Sequence, residues 1–81
     1  MDDHDVVQHI DELVAEEHRL RGNASTGHPV TDADRERLQE LAVQLDQLWD
    51  LLRRRRAREQ YRQDPDTETL RPGDVVEGYQ Q

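Results

Sequence analysis

The sequence predicts an all-α fold in which an antiparallel two-helix hairpin, residues 3–21 and 31–62, precedes an irregular tail. Two segments repeat apolar residues at helical spacing, and a short segment rich in small, turn-forming residues separates them. Only 17 of the 81 residues are Ile, Val, Leu or Phe, and the net charge is −8. One chain therefore has little material for a core, and we expect two hairpins to dimerise into a four-helix bundle.

The first predicted helix is amphipathic and spans residues 3–21. Four of its apolar residues recur at steps of four, three and seven positions: Val6, Ile10, Leu13 and Leu20. This spacing places them on one helical face. Asp2 or Asp3 can cap the start of the helix, and Gly22 follows its predicted end.

The second predicted helix is longer and carries a leucine stripe at alternating steps of three and four: Leu38, Leu41, Leu45, Leu48 and Leu52. Thr31, followed three residues later by Asp34, resembles a capping box with Asp in place of Glu. No residue before Asp64 and Pro65 would stop the helix, so we expect it to reach about Arg62.

The two stripes have equal length, and the short connection makes their helices antiparallel neighbours. Each predicted pair has position numbers that sum to 58: Leu20 with Leu38, Val6 with Leu52, Asp3 with Arg55, and Asp2 with Arg56. The leucines therefore bring the arginine block of residues 53–58 beside the acidic N-terminus.

The second helix has a wider apolar arc than one partner helix covers. Trp49 and Leu51 lie about 160° apart on opposite flanks of its leucine stripe. We therefore predict a dimer and core interface formed by five residues: Leu45, Leu48, Trp49, Leu51 and Leu52.

Three sequence elements resemble a known family. They are Glu-Glu-His at residues 16–18, Asp-x-x-Trp-Asp-Leu-Leu-Arg at residues 46–53, and the Arg-Pro tail that begins at Arg71. These elements resemble a family of short actinobacterial proteins, catalogued as a domain of unknown function, over nearly the whole chain. The family pattern often has Cys before the Trp and Gln within the arginine run, where this chain has Leu48 and Arg54. The resemblance implies no activity and no site residues.

A polar residue interrupts the first helix stripe, because Glu17 occupies the position between Leu13 and Leu20. The simplest interpretation is an ion pair with Arg21, four residues later and in the favourable order. The alternative is a small-ligand or metal site, in which a dimer gathers Glu17 and His18 from both chains. The four histidines lack the spacing of a metal motif, so we predict no metal. No glycine-rich phosphate motif or nucleophile elbow accompanies the hydroxyl side chains of the loop, so we predict no cofactor and no enzyme activity.

The arginine block offers a candidate anion site made of Arg53, Arg54, Arg56 and Arg58. Such a run raises the alternative that the protein binds nucleic acid or another polyanion. Residues 1–18 carry seven acids, however, and the register places the first of them beside the block. Internal neutralisation is therefore favoured over nucleic-acid binding.

The tail, residues 63–81, is acidic and is predicted to be irregular, either disordered or loosely docked. Within it, Pro72 and Gly73 are typical of a type II turn. Leu70, Val75 and Tyr79 are among the residues that could dock on the hairpin.

The N-terminus is acidic where a secretory signal is basic, and no apolar run is long enough to cross a membrane. We expect a cytoplasmic protein that does not engage membranes. Its predicted role is a non-enzymatic, homodimeric protein-interaction module, with a coiled-coil-like bundle and an unknown protein partner.

Overall fold

The fold is an elongated helical hairpin with a packed tail, in a computed structural model that describes residues 2–25, 27 and 29–78. Two long helices, α1 (Asp3–Ser25) and α2 (Asp32–Gln60), are followed by a 3₁₀ helix (Pro65–Thr67) and α3 (Gly73–Gly78). Both short helices lie against α2. The prediction of an all-helical fold with two long helices and a short tail is confirmed, whereas assembly into a four-helix bundle remains a prediction.

Helix α1 begins with a reciprocal cap and runs past its predicted end. The Asp5 amide donates to Asp2 Oδ1 at 2.8 Å, and the Asp2 amide donates to Asp5 Oδ2 at 3.3 Å. Gly22 does not end the helix, which continues to Ser25, so the predicted boundary at residue 21 is wrong. A glycine ends a helix when it adopts a left-handed conformation, and here Gly27 does so, with φ of 90°.

Helix α2 begins as predicted and ends two residues early. The Asp34 amide donates to Thr31 Oγ1 at 3.1 Å and the Thr31 amide donates to Asp34 Oδ2 at 3.2 Å, which confirms the capping box. The helix ends at Gln60 rather than at Arg62, whose φ of 57° cannot continue a right-handed helix.

The core lies along the seam between α1 and α2. Its buried members are Val6, Ile10, Leu13, Leu41, Leu48, Leu51 and Leu52, with Val14, Leu20 and Leu45 packed against them. At the end of the seam, Arg55 Nε lies 2.7 Å from Asp3 Oδ1. This contact joins the two residues that the register pairs, and the antiparallel arrangement is therefore confirmed at that end.

The tail packs on the side of α2 that α1 leaves open. Val76 is 2% exposed, and Gln47 Nε2 donates to the carbonyl oxygen of Arg71 at 3.2 Å. Gly73 approaches α2 so closely that a Cβ atom there would lie 2.7 Å from Val43 Cγ1. Side chains in the middle of α2 therefore determine where the tail lies.

The tail also begins a helix where a type II turn is expected. The carbonyl oxygen of Pro72 accepts from the amides of Val75 and Val76 at 3.1 and 3.2 Å, as at the start of a helix. A type II turn would require a positive φ at Gly73, and among the described glycines only Gly27 has one. Tyr79 lies outside the described residues.

Candidate interaction surface and the arginine block

The buried guanidinium of Arg55 joins three parts of the chain. Its side chain is 5% exposed and donates to Asp3 Oδ1 at 2.7 Å, to Asp66 Oδ1 at 2.9 Å and to the carbonyl oxygen of Pro65 at 3.2 Å. The hydrogen bond to Asp3, joined by the one to Asp66, raises the pKa of Arg55. A buried cation with these partners ties the N-terminus, α2 and the tail together, but the sequence pattern revealed only Asp3.

Two of the candidate anion-binding arginines are occupied by carboxylates. Arg54 Nε donates to Asp50 Oδ2 at 2.9 Å, Arg54 Nη2 donates to the carbonyl oxygen of Thr69 at 2.7 Å, and Arg54 Nη1 donates to Glu68. Arg58 Nε donates to Glu68 Oε1 at 2.8 Å. These hydrogen bonds, first from Arg58 and then from Arg54, lower the pKa of Glu68. The (i, i+4) spacing of Asp50 and Arg54 predicts their ion pair from the sequence, whereas no local pattern predicts that Glu68 contacts Arg54.

The other two candidate arginines, Arg53 and Arg56, are exposed. Neither forms an ion pair with any residue that the structure describes. The predicted contact between Asp2 and Arg56 is wrong, because the Asp2 carboxylate instead caps α1 through the Asp5 amide. That hydrogen bond lowers the pKa of Asp2. The N-terminus and the tail therefore neutralise Arg55 together, while the tail neutralises Arg58 and, with Asp50 of α2, Arg54.

An exposed row of side chains that contains one tryptophan runs along α2 on the flank away from the tail. It consists of Ala42, Trp49, Arg53 and Arg56, which helical spacing places in one row, and we name it the Trp49 stripe. All four residues are exposed, and Trp49 has 44% of its surface accessible. Gln47 and Arg54, which hold the tail, lie about 160° and 140° around the helix from Trp49. The tail therefore leaves the stripe open.

The predicted interface leucines already pack within one chain. Leu48, Leu51 and Leu52 are buried in the hairpin core, and Leu45 packs against that core. Trp49 is the one member of the predicted set with a large exposed surface. Any second chain that contacts this set would therefore meet mainly the indole ring.

Of the two residues in the predicted polar site on α1, Glu17 forms an ion pair with Arg21, whereas His18 is exposed to solvent. Arg21 Nη2 lies 3.8 Å from Glu17 Oε2, as the simpler interpretation requires, and the Glu17 side chain is 23% exposed. His18 is exposed, as are His4 and His9, whereas His28 lies outside the described residues. Within the described part of the chain, no group of three metal-ligating side chains comes together.

These features define the class of protein: it is a small, all-helical protein in which a two-helix hairpin binds its own tail through contacts between arginines of α2 and carboxylates of the tail. Within the described ranges, no helix has the length and apolarity needed to cross a membrane. The chain belongs to the family described as a protein of unknown function, DUF2630, whose profile matches residues 2–81. The predicted family resemblance is therefore confirmed.

Two mycobacterial relatives illustrate the family. The chain is 43% identical over 77 residues to uncharacterized protein Rv0898c of Mycobacterium tuberculosis (strain ATCC 25618 / H37Rv), and equally to uncharacterized protein Mb0922c of Mycobacterium bovis. Each alignment covers 95% of this chain and 88% of the relative. No solved structure shows significant similarity to the chain.

Proposed function

We propose that this protein is a non-enzymatic, self-associating helical module, and that a second copy docks on the Trp49 stripe. The observation that carries the proposal is the exposure of Trp49, which has 44% of its surface accessible on the flank of α2 that the tail does not cover. Tryptophan and arginine are enriched among residues that dominate binding energy at protein interfaces. The stripe combines one tryptophan with Arg53 and Arg56, both exposed.

The shape of the chain supports an additional partner. Its accessible surface is 5876 Å², about 800 Å² more than a compact monomer of 9.6 kDa exposes. Its radius of gyration is 15.2 Å, against about 12 Å for a compact chain of this length. One side of a standard protein interface covers about 800 Å². The elongated hairpin therefore has ample surface for a contact of this size.

Local charge complementarity is what would direct a second copy to the Trp49 stripe. Two chains that each carry a net charge of −8 repel each other overall, so acidic side chains of one copy must lie opposite Arg53 and Arg56 of the other to offset this repulsion. On α1, Asp11 and Glu12 are exposed and form no ion pair with any described residue. These acids, or others on the same helix, are suitable partners for Arg53 and Arg56 across the interface.

Nucleic-acid binding is the weaker candidate function. Arg54, Arg55 and Arg58 each hold a carboxylate of the same chain, which leaves only two arginines of the block with no described partner. A protein with a net charge of −8 also repels a polyphosphate backbone. We therefore assign the exposed arginines to an acidic protein surface.

Sedimentation equilibrium and tryptophan fluorescence of the full chain test this proposal together. Trp49 is the only tryptophan, so its emission should shift to shorter wavelength as concentration rises and the dimer buries the ring. The melting temperature should rise with concentration, because dissociation is linked to unfolding. Trp49→Ala should weaken the dimer by about 30-fold, the effect of removing an interface hot spot.

Tyr61→Ala is the matched control, because this aromatic residue is 73% exposed and lies about 120° around the helix axis from Trp49. It should leave the dimerisation constant unchanged. A folded monomer at every concentration, with a melting temperature that does not depend on concentration, would refute self-association. Equal weakening by Trp49→Ala and Tyr61→Ala would instead refute the assignment to the Trp49 stripe.

A further inference from the structure

A small cationic pocket lies on the opposite flank of α2, where the tail crosses the end of the helix. Its volume is about 170 Å³, and its lining includes Arg54, Arg58, Tyr61, Gln63, Glu68 and Arg71. Three arginines and one glutamate thus line an open space large enough for a phosphate group. The pocket is separate from the Trp49 stripe, since Arg54 points about 140° away from Trp49 around α2.

The lining already binds an anion, namely the side chain of Glu68. Its Oε1 accepts from Arg58 Nε at 2.8 Å, and its Oε2 accepts from Arg54 Nη1. One carboxylate therefore bridges two guanidinium groups, which is the way arginines commonly hold phosphate oxygens. The contacts are largely shielded from water, because the Glu68 and Arg54 side chains are 16% and 15% exposed.

Arg58 retains binding capacity that Glu68 does not use. Its described contacts involve only Nε, so both terminal nitrogens have no acceptor among the described residues. The side chain is 39% exposed and can be reached from solvent. The Gln63 amide provides a further donor in the same lining. The Arg71 guanidinium, 38% exposed, is already engaged, because its Nε lies 4.0 Å from Asp50 Oδ2.

We propose that this pocket binds the phosphate group of a small soluble ligand, with Arg58 as its principal donor and Glu68 as a built-in competitor. A phosphate carries more negative charge than a carboxylate and offers more acceptor oxygens, so it can engage both terminal nitrogens of Arg58 and the Gln63 amide at once. Its arrival weakens the contact between Arg58 and Glu68. Because Glu68 belongs to the tail, binding of the ligand at Arg58 is coupled to the docking of the tail on α2.

A titration of the full chain with inorganic phosphate, followed by NMR of the backbone and arginine Nε resonances, tests the pocket. Sodium chloride at matched ionic strength supplies the reference, and glycerol phosphate tests whether a monoester binds better than the free ion. Phosphate should give saturable shifts at Arg58, Tyr61 and Gln63 that chloride does not produce. Glu68→Gln should tighten phosphate binding by about tenfold, because it removes the competing charge.

Arg19→Gln is the matched control for Arg58→Gln, because both remove one positive charge and the exposed Arg19 belongs neither to the pocket nor to the Trp49 stripe. Arg58→Gln should abolish saturable phosphate binding, whereas Arg19→Gln should change the dissociation constant less than about twofold, as expected for an unspecific charge effect. Equal effects of the two variants, or identical shifts with phosphate and chloride, would overturn the proposal. Val76 resonances reveal whether Glu68→Gln releases the tail, and in that case the comparison of Arg58→Gln with Arg19→Gln tests the proposal.

Discussion

Replacing Gly73 by Ala tests whether the contact between α3 and α2 determines the position of the tail. A Cβ atom at residue 73 would lie 2.7 Å from Val43 Cγ1, well inside van der Waals contact. Valine is β-branched and its side chain has little rotameric freedom in a helix, so it cannot easily move away. Either α3 shifts outward or the tail leaves α2.

The expected cost follows from this geometry. Overpacking a tight contact by one methyl group costs about 1–3 kcal/mol, and each kcal/mol lowers the melting temperature of a chain this short by about 4–8 °C. Local release of the tail limits the cost to the free energy of tail docking, in which burial of Val76 is one contribution. We therefore expect Gly73→Ala to destabilise the protein by about 1–3 kcal/mol or to release the tail.

Thermal unfolding at fixed protein concentration, together with hydrogen exchange at Val76, measures both outcomes. Gly22→Ala is the control, because a Cβ there meets no atom within 4 Å, and it should stabilise α1 by about 0.5–1 kcal/mol. Adding Val43→Ala to Gly73→Ala should recover much of the loss, which a double-mutant cycle quantifies. If Gly73→Ala stabilises the chain as much as Gly22→Ala does, the close contact does not hold the tail.

Three further predictions address charged groups. Glu17→Leu should keep or raise the free energy of unfolding in urea, because the ion pair that it removes is long, at 3.8 Å, with its Arg21 side 69% exposed, and because residue 17 lies on the apolar seam. A loss above about 1 kcal/mol would contradict a merely structural role. Asp3→Ala should cost about 1–3 kcal/mol, since it deprives the buried Arg55 guanidinium of a partner, and an unchanged melting temperature would refute this. The hydrogen bond with Asp46, with some burial, raises the pKa of Glu77 above 4.5. The melting temperature should therefore fall as pH rises above 4.5 through that raised pKa, and Asp46→Asn should flatten this part of the pH profile; an unchanged profile would exclude the carboxyl pair as its cause.

The local sequence determined most of the hairpin. Helical spacing of leucines identified both long helices, and the capping box of Thr31 and Asp34 located the start of α2. The register came from matching two apolar stripes of equal length, and it placed Asp3 beside Arg55. These features depend on periodicity and on contacts between neighbouring residues, which a sequence displays directly.

The end of α1 depended on backbone conformation rather than on residue type. Two glycines, Gly22 and Gly27, follow the predicted end of α1 at residue 21, and either could adopt a left-handed φ. In the structure only Gly27 does so, and α1 extends accordingly. A sequence shows where such a conformation is permitted, whereas the folded chain determines where it occurs.

Only the tertiary structure decided which arginines have partners and which side chains remain exposed. Arg54 and Arg58 reach Glu68, 14 and 10 residues further along the chain, and this requires the tail to turn back along α2. The path of the tail also leaves Trp49 uncovered, although its position beside the leucine stripe is typical of a core residue. Arginine side chains are long and flexible, so their partners depend on the path of the whole chain and not on spacing along one helix.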